Sequence, residues 1–231
     1  MRFFDAYPYL GCGFLMLAFL VPMLLAAGPQ RRMVLFAGIV ALPGVPFAMV
    51  FERVYWTPER LFGWPFGVED VLYLFGMGTR AWFFAALPWM ARLRTTPAPA
   101  TLLRRLGAMT ALGIAGFLAV SALGLPPARV AFAVPALIAG VLLVRQPHLW
   151  RLALAGAAGC AVFGWLELLL QFLLWPHYLA SWTRDAITSA SVLGVPAGDL
   201  WWSAAVGAAH PLVLAYACGA EIAGRPDAVR A

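Results

Sequence analysis

The chain has 231 residues, of which 63% are hydrophobic and 11% charged, and a formal net charge of +6, with a mean hydropathy of +0.84. A water-soluble domain is about half apolar and about a quarter charged, so these values exclude that class and predict one polytopic membrane domain. Nucleic-acid binding is excluded as well, because the basic residues stand singly or in pairs between apolar runs, as in membrane loops.

Seven apolar runs follow in chain order: 6–27, 33–51, 68–90, 104–123, 128–144, 149–175 and 199–222. At about 20 residues per span, they predict an all-α protein of about seven transmembrane helices. The second run holds Pro43 and Pro46, which predict a kinked or broken helix, tolerated where neighbours re-satisfy the freed backbone groups. One set of loops holds ten arginines: Arg31, Arg32, Arg92, Arg94, Arg104, Arg105, Arg145, Arg151, Arg225 and Arg230. The opposite set holds five: Arg2, Arg53, Arg60, Arg129 and Arg184. The positive-inside rule then predicts a cytoplasmic C-terminus and an outer N-terminus. The acids lean the other way, with Asp5, Glu52, Glu59, Glu69, Asp70, Asp185 and Asp199 at the outer face, Glu221 and Asp227 inside, and Glu167 within a span.

A repeat runs through this pattern. Trp56-Thr57-Pro58-Glu59-Arg60 is followed by Gly63-Trp64-Pro65-Phe66-Gly67-Val68-Glu69-Asp70; Trp182-Thr183-Arg184-Asp185 is followed by Gly194-Val195-Pro196-Ala197-Gly198-Asp199. The parse is two three-span units, about 6–90 and 128–222, joined by a linking span at 104–123. Duplications of this kind place functional sites at the repeat interface in transporters.

Within the units, Glu69, Tyr73, Gly76 and Arg80 share one helical spacing, and Asp199, Ser203, Val206 and His210 share the same one. Each unit thus sets an acid near a helix start and a basic group about 16 Å deeper. Ionisable groups inside a membrane are candidates for function. Glu69 and Asp199 can equally cap their helices, and Arg80 can pair with Glu167, which lies with Gly156, Cys160, Gly164 and Gln171 on a small, polar face. The aromatics around them, among them Trp56, Trp64, Tyr73, Trp201 and Trp202, suit an interfacial belt or a π-lined pocket for a polyene or a cation.

Several chemistries lack their residues. Cys12, Cys160 and Cys218 form no CxxC motif and read as small buried apolar residues. His148, His177 and His210 are isolated, so no metal site is expected. No phosphate-binding glycine loop is present, so no nucleotide cofactor is expected, and no serine sits in a nucleophile elbow. All 16 basic residues are arginine; without lysine, no retinal Schiff base can form.

The duplicated unit resembles the membrane-embedded lycopene cyclases, in which a Trp-containing loop precedes a Pro-x-Glu-Glu motif opening an aromatic helix. Gly67-Val68-Glu69-Asp70, then Val71-Leu72-Tyr73-Leu74-Phe75, is similar to one copy; Pro196-Ala197-Gly198-Asp199, then Leu200-Trp201-Trp202, is similar to the other. Gly67 replaces the family's proline and Gly198 its first acid. The motif pairs Asp199 with Asp70, whereas the spacing to the deeper basic group pairs it with Glu69. The resemblance implies an isomerase in a multi-pass membrane, expected to be a bacterial inner membrane. It implies cyclisation of a lycopene-like carotenoid end group by redox-neutral carbocation chemistry without a cofactor. Glu69, Asp70 and Asp199 are then the expected acids and bases, and Tyr73, Arg80, Glu167, Trp201, Trp202 and His210 line the substrate. The alternatives are a carotenoid 1,2-hydratase-like enzyme, or a non-catalytic binding or transport protein on the same scaffold. The lipid bilayer is the expected environment, and homo-oligomerisation is left open.

Overall fold

A computed structural model describes residues 3–47, 49, 55–96, 98–182 and 190–223. Thr183, Arg184 and Asp185 of the second motif, and Arg2, Glu52, Arg53, Arg225, Asp227 and Arg230 of the charge pattern, lie outside them.

The described chain is mostly helical. After one turn at Phe3–Ala6 come α1 (Pro8–Ala26), α2 (Arg31–Ala41), α3 (Val68–Ala86), α4 (Pro99–Ala122), α5 (Pro127–Arg145), α6 (Trp150–Leu174) and α7 (Ala197–Cys218). Each falls in one of the seven apolar runs. Three stretches are long and apolar enough to cross a bilayer: Pro8–Ala26, Pro99–Ala122 and Pro147–Leu174. Proline opens α1, α4 and α5, where its missing N–H costs nothing. Gly219 ends α7 in the left-handed conformation, at φ +60°, as C′ glycines do. The second run breaks where its prolines stand: α2 stops at Ala41 and continues as a 3-10 segment, Leu42–Phe47.

Two helices form the centre. α3 packs on α1, α2 and α6, while α7 packs on α5 and α6. Glycines set the approach in both halves. A methyl group at Gly78 would strike the Ala37 backbone of α2, and one at Gly207 would strike the Gly156 backbone of α6. Close backbone approach at small residues is how helices associate where lipid removes the hydrophobic drive. α4 is peripheral, with only 11% of its apolar window buried.

Short connections close the two ends. At one end β1 (Leu93–Arg94) pairs with β4 (Glu221–Ile222), and Gln30 Nε2 donates to the Leu93 carbonyl at 2.8 Å. At the other, β2 (Ser191–Val192) and β3 (Val195–Pro196) form a hairpin. Its two-residue turn, Leu193-Gly194, has positive φ at both positions, as a primed turn requires. There too, Trp56 and Trp182 form a β-bridge, and Thr57 N donates to the Ser181 carbonyl at 2.8 Å. The two Trp-Thr motifs therefore meet.

Candidate functional site

Beneath that bridge lies a cavity of about 660 Å³, lined by residues of α1, α2, α3, α4, α5 and α7 and of both Trp loops. Its wall is almost wholly apolar: Phe36, Leu74, Met77, Phe117, Phe132 and Ile138 are typical. Two carboxyl groups, Asp70 and Asp199, are on it, with Tyr9, Tyr55, Trp56, Tyr73, Trp182 and Trp202. The volume lies within the range of small-molecule pockets.

Asp70 is saturated. It is the third residue of α3 and accepts from Gly67 N at 2.8 Å, the N3-to-N-cap half of a capping box. Tyr9 Oη donates to it at 2.9 Å, and Arg60 Nη1 pairs with its Oδ2 while Nη2 reaches Oδ1 at 3.3 Å. The Arg60 guanidinium also lies over the rings of Tyr9 and Trp56, 5.6 and 5.8 Å from their centroids, within cation–π range. Tyr9 and Trp56 meet edge to face at 4.4 Å.

Asp199 is held differently. It is 8% exposed and accepts one hydrogen bond, from Tyr55 Oη at 2.7 Å. Among the described residues its Oδ2 has no hydrogen-bond partner, and neither does the indole N–H of Trp182, which lies close enough to Tyr55 and Asp199 to stabilise their charged forms. Burial, with the Asp199 charge beside it, pushes the Tyr55 phenol up from its ordinary range, so Tyr55 keeps its proton and remains a donor.

The structure separates the other expected residues. Tyr73, Trp202 and His210 line the cavity; Glu69, Arg80, Glu167 and Trp201 do not. Glu69 is buried but turns away to accept from Leu61 N at 2.7 Å, so it fastens the Trp56 loop. Arg80 pairs with Glu167, whose other oxygen accepts from Gln171 Nε2 at 2.8 Å, linking α3 to α6. Trp201 stands on the outer surface, 69% exposed. His210 Nε2 lies 3.0 Å from the Ala37 carbonyl.

The cavity face of α3 carries Asp70, Tyr73 and Met77, and that of α7 carries Asp199, Trp202 and Val206. The spacings are the same, so Asp199 answers to Asp70 and not to Glu69. Sequence reasoning missed Tyr9, Tyr55 and Arg60 as parts of the site. Arg60 ends the Trp56 motif and Tyr55 directly precedes it, a signal within reach; Tyr9 gave none, being one aromatic in an apolar run. Among the described residues no three His, Cys, Asp or Glu side chains gather as a metal site would need. Compared with family models, curated proteins and solved structures, the chain matches none.

Proposed function

We propose that the chain is a seven-span membrane enzyme, built from two three-helix units joined by α4, that cyclises the end group of a lycopene-like carotenoid. The observation that carries this reading is one apolar cavity bearing two buried carboxyl groups and ten aromatic side chains. Such a wall suits a polyene, its aromatic faces suit a cation, and the carboxyls suit proton transfer. A transport path would be polar and open between faces, and a hydratase would need more polar wall than this.

The two-unit parse is supported by three pairings: Trp56 with Trp182, Asp70 with Asp199, and Gly78 with Gly207 at the helix crossings. The arginine bias supports an outer N-terminus, with the Trp loops at the outer face and the β1–β4 end in the cytoplasm.

In this reading Asp199 is the acid, because its Oδ2 is the carboxyl oxygen left free. It protonates the terminal alkene. The next double bond closes on the tertiary cation to form the ring, and loss of a ring proton completes an isomerisation. The proton returns to Asp199, now ionised, which restores the acid for the next turnover. Asp70, fixed by Arg60 and Tyr9, sets a negative charge near the cation. Arg80, Glu167 and Glu69 hold the scaffold.

The test is expression in lycopene-accumulating cells with pigment analysis by chromatography. Cyclised carotenoid should appear, and Asp199→Asn should lower its formation by about 10²–10⁴-fold, the range of general acid–base catalysis. Unchanged lycopene alongside verified membrane expression overturns the reading.

A further inference from the structure

The cavity has an unusual flank. α4 rests chiefly on α5 and α7 rather than on α2, so the α2 side and the α4 side face each other across the cavity. Ile39 of α2 and Ile114 of α4 both line the cavity, yet they are 56% and 44% exposed. Side chains that are at once cavity wall and outer surface mark an opening. Both lips are apolar, and they lie along helices within the apolar runs, so the opening faces hydrocarbon and not water.

The backbone is irregular at the same place. α2 ends early, and the 3-10 segment with Pro43 and Pro46 takes over. Non-helical backbone at membrane depth is tolerated only where it is buried in protein or lines a cavity, and Pro43, Gly44 and Phe47 do line this one. An aromatic contact spans the gap: Phe47 and Phe117 meet edge to face, with ring centroids 5.7 Å apart.

We infer that the gap between the Leu42–Phe47 segment and α4 is a lateral portal, latched by Phe47 and Phe117, through which a linear apolar chain passes between the bilayer and the carboxyl-bearing cavity. The inference rests on the proposed function for the identity of the chain, a polyene, but not for the route. An occupant dissolved in the bilayer needs no path through water, and no charged side chain stands at these lips. One weak aromatic pair can open without disturbing the α3–α7 centre. α4, the least buried helix, is the one free to move.

The test uses the full chain in phosphatidylcholine nanodiscs and parinaric acid, a fluorescent conjugated tetraene fatty acid, followed by stopped-flow energy transfer from tryptophan. Phe47→Ala with Phe117→Ala should raise both the association and the dissociation rate about two- to tenfold, the worth of one aromatic pair. Ile114→Trp should slow both. Leu118→Ala, on the outer face of α4 at 62% exposure, is the control and should change neither. Unchanged rates in both the Phe47/Phe117 and Ile114 variants overturn the portal, as does the lack of saturable binding to the unaltered protein. A protein that makes no cyclised product but keeps this gating refutes the cyclase reading alone; one that cyclises lycopene with unaltered probe rates refutes the portal alone.

Discussion

Asp70 and Asp199 occupy the same place in two matching helices and live in opposite surroundings. Asp70 accepts from Gly67 N, Tyr9 and both terminal nitrogens of Arg60. Among the described residues, Asp199 accepts from Tyr55 and keeps one oxygen without a hydrogen bond. A carboxylate matched by a guanidinium and two further donors is fixed in place. One held by a single phenol is free to exchange a proton with whatever enters the cavity. The neighbours, more than the residue type, divide the labour between two acids.

The contrast breaks most severely at Arg60. Arg60→Met leaves Asp70 buried without its cation, and removing one partner of a buried pair costs about 3–5 kcal/mol. Thermal unfolding in detergent micelles should register that loss, and adding Asp70→Asn should recover most of it. Asp199→Asn, which breaks no ion pair among the described residues, should cost under about 1 kcal/mol in the same assay. Equal losses in the Arg60 and Asp199 variants would erase the distinction.

A third buried acid sharpens it. Glu167 has both a cation and an amide, from Arg80 and Gln171, but no part of the cavity wall. Glu167→Gln should cost about 3–5 kcal/mol by leaving Arg80 unpaired. Arg80→Met with Glu167→Gln, which removes both charges, should unfold close to the unaltered protein and retain product formation. A double variant that is stable but inactive would move Glu167 from scaffold to chemistry.

Much of the fold was legible in the sequence. Each helix overlaps one apolar run, since long apolar stretches leave few alternatives, although α4 starts five residues before its run, and Pro43 with Pro46 marked the break after Ala41. Within the site, the choice between neighbours was not legible. Glu69 and Asp70, like Trp201 and Trp202, are adjacent, about 100° apart around the helix, and spacing from a distant basic group picked the phase of Glu69. The phase is set by which side meets α1, α2 and α6, a tertiary fact. Partners from afar were hidden for the same reason: Tyr9 reaches Asp70 across 61 residues and Tyr55 reaches Asp199 across 144. Arg60 stood in the quoted motif, but nothing local tied it to Asp70 rather than to solvent.

The finest distinction lies in the two phenols. Tyr9→Phe and Tyr55→Phe each remove one hydroxyl, and each should cost stability only about 0.5–1.5 kcal/mol, the net worth of one hydrogen bond. Their effects on chemistry should part. Without Tyr9, Asp70 still has Arg60 and Gly67 N, so its position barely changes, and product formation should stay within about twofold. Without Tyr55, Asp199 loses its one hydrogen bond among the described residues and is less firmly oriented. A loss of orientation worth about 1.4 kcal/mol is a tenfold fall in rate, and initial rates of pigment conversion in membranes should fall by about that much. The order matters more than the size. If Tyr9→Phe were the more damaging change, Asp70 would be the residue that moves the proton, and the saturated carboxylate would have to shed Arg60 during the reaction.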